Sequence, residues 1–343
     1  MDSILQKMIE NKEDIEIKKV EDLDKNDLVR IFILDGGIGD IICSTPMIER
    51  ARKEFPNKKI IVRTFYPDVY FHNPNVDVLY SANSINDMFE KWVKPLKDYK
   101  SILKRDLYNF PTYSMFPGKV SEIWCKLYDI PYDGDNTKLY LTKEEEEESI
   151  QFLKSFDREV ILIQPFSSRF IGNPGQPLTE NKDWFAESWQ EVVKELQFSY
   201  DIVQVGGKNE ETIKGVSFNV SGTTNFRQTM ALVKNSLTFV TLDSFINHVG
   251  PAVGKPGVVL FGRSNPLTFG HDMNSNIWIK ESCQDIGCGR PQSYFGDNEL
   301  YKGQVRAWKC QDRKCMKSIT PRIVIDKVYD LIRTIKEQTS KKL

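Results

Sequence analysis

Twice along the chain, short runs of β-branched and other apolar residues alternate with helix-patterned stretches. This repeated alternation restricts the fold more than any other feature. Leu28–Leu34 is nearly continuous in apolar character, as expected of a strand covered on both faces. A glycine-rich turn (Asp35-Gly36-Gly37-Ile38-Gly39-Asp40), a helical pattern to about Phe55 and a second apolar run at Lys59–Arg63 complete a β-α-β unit. Residues 75–80 read as another short strand, whereas 81–135, rich in Tyr, Phe, Trp and Pro, match no periodic element. A helix opens at Thr142, with Glu145 placed as in a capping box. The acidic run Glu144–Glu148 is expected to face water at the positive end of that helix.

A second series begins at Val160–Gln164. It continues through a helix at 189–197 opened by Ser188 and Glu191, a strand at Asp201–Val205 and a Gly206-Gly207 turn. A helix at 226–236 and strands at Leu237–Thr241 and Gly257–Phe261 follow. Such alternation predicts parallel sheets, and 343 residues suffice for two α/β domains. The last helix starts at Thr320-Pro321, an N-cap with proline at the first position. Its stripe of Val324, Val328, Leu331, Ile332 and Ile335 must bury against a partner.

Composition narrows the function classes. Hydrophobic residues make up 40% and charged residues 28%, with a net charge of −1. That balance offers no general basic surface for nucleic acid, although a local basic groove would escape the total. The charged N-terminus lacks the apolar core of a secretory signal. No window approaches the roughly 18 apolar residues that cross a bilayer. The expectation is a soluble cytoplasmic protein, with peripheral contact at the inner membrane surface left open.

Four segments carry chemistry. The Gly36–Asp40 turn joins a strand to a helix, where open α/β sheets place ligands. Gly37 and Gly39 allow close backbone approach and the helix start favours anions. The dinucleotide fingerprint is not met, because its third glycine is missing. Asp40 is either a ligand-facing carboxylate or a helix N-cap. The second segment, Asp243-Ser244-Phe245 with His248, again follows a strand. In the third, Lys182 is either a cation for phosphate or a surface lysine. In the fourth, Glu210 beyond Gly206-Gly207 is either a ribose-binding carboxylate or a helix-opening acid.

Cysteines divide into two groups. Cys43 and Cys125 stand in apolar contexts that predict buried thiols, while Cys283/Cys288 and Cys310/Cys315 form two pairs across a polar insert. Pairs of that spacing suit a tetrahedral thiolate site for a structural zinc or iron. Four reduced thiols, or two disulfides formed on oxidation, are the alternatives.

Taken in order, these segments resemble glycosyltransferase family 9, the ADP-heptose:lipopolysaccharide heptosyltransferases and their relatives, over roughly residues 29–335. The resemblance is carried by Gly39-Asp40 with Ser44-Thr45-Pro46 and Phe55-Pro56, and by Asn73-Pro74-Asn75-Val76-Asp77. In the second half it is carried by Lys182-x-Trp184, Trp189, Val205-Gly206-Gly207 and Ser221-Gly222-Thr223. Asp243-Ser244-x-x-x-His248, Gly254-Lys255-Pro256 and Phe261-Gly262 complete it.

The resemblance implies a GT-B fold, α/β with two Rossmann-like domains whose parallel sheets face each other across a cleft. Residues 1–150 would form the acceptor-side domain and 151–320 the nucleotide-sugar domain with the cysteine-paired insert 283–315. The helix at 321–343 would pack back on the first domain. It also implies inverting transfer without a catalytic metal. Asp40 would be the general base, Lys182 would hold the donor diphosphate, Asp243 would touch the donor sugar, and Ser244 and His248 would line the donor site. Phe245 stands where many members have glycine. Some relatives that glycosylate proteins hold iron in a cysteine finger.

The expected activity is transfer of a sugar, heptose among the candidates, from an ADP-heptose-like nucleoside-diphosphate donor to a glycan, lipid-linked or protein acceptor. Glycosylation of a modified nucleobase in viral DNA and a non-catalytic sugar-nucleotide-binding role are the alternatives. The oligomeric state is open.

Overall fold

In the computed structural model of the chain, the described residues are 29–94, 102–104, 107, 110, 116–167, 171–172, 176–177, 182–208, 210–283 and 313–341. They divide into two compact units, one containing 29–110 and 118–142, the other 116–117 and 143–341.

The first unit is built on β1 (Val29–Leu34), β2 (Lys59–Thr64), β3 (Val78–Ser81) and β4 (Ile102–Lys104), in the order β3-β2-β1-β4. Every pairing is parallel. Ile31, Ile33, Ile61, Val78, Tyr80, Met88 and Trp92 form one of its apolar clusters. The helical pattern expected between the glycine-rich turn and about Phe55 is in fact two helices, α1 (Ile38–Ile42), which begins inside that turn, and α2 (Thr45–Glu54). Pro46 supplies no N–H, and the Ser44 hydroxyl turns back to the Ile41 carbonyl at 2.6 Å and meets the buried Tyr70 hydroxyl. A further helix, α3 (Val120–Leu127), lies in the stretch that lacked periodicity.

The second unit contains β5 (Val160–Gln164), β8 (Asp201–Gln204), β9 (Phe218–Asn219), β10 (Thr238–Leu242), β11 (Val258–Phe261) and β12 (Ser275–Trp278). Their order is β12-β11-β10-β5-β8-β9, all parallel. A two-residue antiparallel bridge joins β6 (Ile171–Gly172) to β7 (Gln176–Pro177). The longer helices of this unit are α4 (Lys143–Leu153), α5 (Ala186–Leu196), α6 (Phe226–Asn235), α7 (Phe245–Ala252) and α8 (Pro321–Ser340).

Three expectations are corrected here. The division falls at 142–143 rather than 150, because α4 is tied to α6: Arg227 grips both oxygens of Glu145, Lys234 pairs with Glu146 at 2.6 Å, and Asn235 donates to the Ser149 hydroxyl. Glu145 and Glu146 are therefore paired across helices rather than merely solvated. Helix α5 begins at Ala186 rather than 189, with Phe185 as its N-cap. The last helix is capped as expected by the Thr320 hydroxyl on the Ile323 N–H, and its stripe is used within its own unit. Val324, Val328 and Ile332 are buried in the core of the second unit, where α8 packs on α5, β11 and β12. Each such side chain contributes about 1.5–3 kcal/mol, which commits the helix to that core.

Candidate functional site

In each unit the strand order reverses beside the strand that opens it, and open parallel sheets hold ligands beyond the carboxyl ends of strands at such a reversal. In the first unit the chain runs outward from β1 through β2 to β3, then places β4 on the other side of β1. In the second it runs from β5 through β8 to β9, then returns to β10 on the opposite side of β5. Asp40 follows β1, and Asp243, Ser244, Phe245 and His248 follow β10.

After β1, Asp35 is held by Arg63 at 2.7 Å. Gly37 is the N-cap of α1, so Asp40 is the third helical residue and not the cap itself. Its carboxylate accepts the Gly37 N–H at 3.1 Å, and its carbonyl accepts Trp124 Nε1 at 2.8 Å. Gly39 lies inside α1, where its carbonyl accepts the Cys43 N–H. Gly36 has a φ of +156°, and a Cβ there would stand 3.2 Å from the Asp40 Cβ. Glycine at 36 thus leaves the half-buried carboxylate room at the sheet edge. Burial pushes the Tyr66 phenol up, and the charge of Asp40 pushes it further.

Beyond β10, Asp243 is buried and receives Lys182 Nζ on Oδ2 at 2.9 Å. The Ser264 hydroxyl, from the turn after β11, donates to the same oxygen. Burial alone would raise the Asp243 pKa. The Lys182 ammonium, the Ser264 hydroxyl and the nearby His248 outweigh it and hold the carboxyl below its ordinary range. Ser244 N-caps α7, and its hydroxyl donates to Gln164 Oε1, which also accepts Thr241 Oγ1 at 3.1 Å. The ends of β5 and β10 are thereby stitched by side chains at the reversal. Phe245, the first residue of α7, lies against Phe226 with ring centroids 6.3 Å apart. His248 is buried, its Nδ1 2.9 Å from His271 Nε2.

After β8, Glu210 folds over the Gly206-Gly207 turn and accepts the Gly207 N–H at 2.8 Å. A Cβ on Gly206 would collide with that carboxylate. Gly222, with φ +69°, packs its backbone against Lys208, where a Cβ would come within 2.6 Å of Cα. No larger residue fits that approach.

The structure therefore joins Lys182, Asp243 and Ser244 at one strand reversal. It sets Glu210 on the adjacent strand end and Asp40 at the corresponding reversal of the other unit. Sequence reasoning missed Ser264, Gln164 and His271. The polar residue ending the apolar run of β5 was the one local signal; the others meet the site only through long-range contacts. Cys43 and Cys125 are buried, and burial pushes the Cys125 thiol up to about 12. Cys283 and Cys315 pack on the same apolar cluster, while Cys288 and Cys310 lie outside the described residues. Among the described residues no helix is long and apolar enough to cross a membrane.

Solved structures share this architecture. A family 9 glycosyl transferase from Veillonella parvula is 18% identical, with 90% of this chain and 98% of that one covered at a TM-score of 0.64. The Escherichia coli ADP-heptose lipopolysaccharide heptosyltransferase II is 17% identical, covering 90% and 99% at 0.57. The iron-containing dodecameric glycosyltransferase TibC of enterotoxigenic E. coli is 13% identical, covering 90% and 77% at 0.64, and it has also been solved with ADP-D-β-D-heptose. No curated protein sequence matches the chain. Two Rossmann-like units with parallel sheets, shared with these structures, define the GT-B fold. The model of glycosyltransferase family 9 (heptosyltransferase) matches residues 99–291, more than half of the length. The chain belongs to glycosyltransferase family 9.

Proposed function

We propose that this glycosyltransferase moves a sugar from a nucleoside-diphosphate donor to a hydroxyl of a glycan, lipid-linked or protein acceptor, with inversion at the anomeric carbon. The observation that carries the reading is the Lys182–Asp243–Ser264 cluster beyond β10, a cation and a buried carboxylate held at the strand reversal of a family 9 chain. The acceptor oxygen forms a bond to the anomeric carbon as the bond from that carbon to the diphosphate oxygen breaks. Asp40 takes the hydroxyl proton. Negative charge grows on the departing diphosphate, and the Lys182 ammonium and the amides opening α7 meet it more strongly in the transition state than in the ground state. Asp243 turns a carboxylate toward sugar hydroxyls, Ser244 and His248 line the donor, and Glu210 accepts from the ribose. Gly37 and Gly39 keep the acceptor side of Asp40 open.

ADP-heptose is the first donor to test, since two of the similar structures are named for it. Calorimetric titration against ADP-heptose and a panel of other nucleoside-diphosphate sugars, with release of nucleoside diphosphate as the turnover signal, is expected to single out one donor. Absence of binding across the whole panel would sink the proposal.

The paired cysteines are proposed as a structural zinc or iron site. Cys283 is half-buried and Cys315 buried, both against one apolar cluster, and thiolate ligands suit a soft metal. Four thiolates leave no open position for substrate, so such an ion would stabilise the segment and take no part in transfer. Elemental analysis of protein purified without chelator is expected to find about one zinc or iron per chain. Metal-free protein with all of these thiols titratable would refute the site.

A further inference from the structure

Arg313 has left-handed backbone angles, φ 46° and ψ 40°, one of three non-glycine residues with positive φ among the described residues. A long side chain there is sterically disfavoured and persists only where its surroundings over-determine it. What holds it is the loop that carries Lys182. The guanidinium lies over the Phe185 ring, 4.4 Å from its centroid, and Nη1 donates to the Asp183 carbonyl at 3.3 Å. The same loop is held elsewhere too. The Asp183 carboxylate accepts the Ser167 N–H at 2.8 Å and hydroxyl at 2.6 Å, and Trp184 Nε1 donates to the Ile319 carbonyl at 3.0 Å. Each of the three residues following Lys182 is therefore fixed, two of them by Arg313.

The segment also reaches the other half of the ion pair. Cys315 and Met316 lie beneath Gly262, where a Cβ would come within 3.1 Å of Sγ and 2.4 Å of Sδ. Two residues on from Gly262, Ser264 donates to Asp243. Residues 313–319 thus touch the Lys182 loop on one side and the Ser264 turn on the other.

We infer that Arg313 is a positioning residue, which through the stack on Phe185 and the Asp183 carbonyl sets where the Lys182 ammonium stands. The consequence for donor binding rests on the reading of Lys182 as the diphosphate cation. A flexible cation on an unbraced loop would need to be ordered when the ligand arrives, and that cost lowers affinity.

Arg313→Gly tests the inference, because glycine adopts the left-handed backbone freely while the guanidinium is lost. Amide exchange at 183–186 in the unliganded variant is expected to quicken, and ADP to bind about tenfold more weakly. The melting temperature should hold, and Arg313→Gly should cost nothing further in a Lys182→Ala background. Arg313→Lys, which keeps the charge without the planar stack, is expected not to restore binding. Wild-type exchange at 183–186 would overturn the bracing role. Losses that multiply in the double variant, or that follow a falling melting temperature, would overturn the action through Lys182. Wild-type protein that binds no ADP would overturn the donor reading, while the exchange measurement still decides whether Arg313 braces the loop.

Discussion

Asp40→Asn is expected to lower the rate of sugar transfer by about 10² to 10⁴, the range for loss of a general base. Asparagine has the same shape and keeps an oxygen to accept the Gly37 N–H. The Trp124 contact goes to the Asp40 backbone carbonyl, so the substitution leaves it in place. The start of α1 should therefore persist, and with it the melting temperature and the affinity for nucleoside diphosphate. What is lost is the ability to take a proton. Release of nucleoside diphosphate from the donor that the panel identifies, with water or the acceptor as nucleophile, provides the measurement. Turnover within threefold of wild type would remove Asp40 from the reaction and leave it as a helix-opening residue.

The second large effect is expected from Lys182→Ala. Removing the ammonium takes away the cation proposed for the diphosphate, and a hydrogen bond to a charged group is worth about 1.5–3 kcal/mol. ADP should bind roughly ten- to a hundredfold more weakly. Stability should fall as well, because the buried Asp243 carboxylate keeps the Ser264 hydroxyl but loses its counter-ion. Lys182 retains 25% side-chain exposure, so the loss should stay below the ~3–5 kcal/mol of a fully buried pair.

The pH dependence has a definite sign. A carboxyl held low in the folded state stabilises the protein above its unfolded pKa of about 3.9, and that contribution disappears as the pH falls through the folded value. In the variant burial dominates and the Asp243 pKa rises. The difference in melting temperature between wild type and variant should be full above the variant's raised Asp243 pKa, shrink as the pH falls through that value, and vanish below the lowered folded value of the wild type. A difference that stays constant into acid, together with unchanged ADP affinity, would show that Lys182 and Asp243 do not act as a pair.

Local chemistry accounts for what was legible in the residues themselves. Val29–Leu34 and Val160–Gln164 are strands because short β-branched runs suit a sheet covered on both faces. The last helix opens at Thr320-Pro321 because a hydroxyl cap and a preset φ act within a few residues. The stretch 81–135 gave no such signal. Its described helices are short, and among the described residues β4 pairs with β1, some seventy residues earlier, a pairing that no local period records.

The same contrast runs through the site. Glycine at 36, a carboxylate at 40 and the cluster Asp243-Ser244 followed by His248 mark turns where a ligand can approach backbone and charge together, and residue type alone points to them. That Lys182 meets Asp243, that Ser264 completes the pair, and that Gln164 joins the ends of β5 and β10 depend on neighbours 61, 21 and 80 residues apart in the chain. The alternation of the longer strands and helices outside 81–135 was determined by the sequence itself, because apolar periodicity and capping are properties of adjacent residues. The pairing of charges at the strand reversal, and the burial of the last helix in the second unit, were decided only by the tertiary structure. A buried carboxylate needs whatever cation the fold brings within reach, and an apolar stripe takes whichever face completes the core.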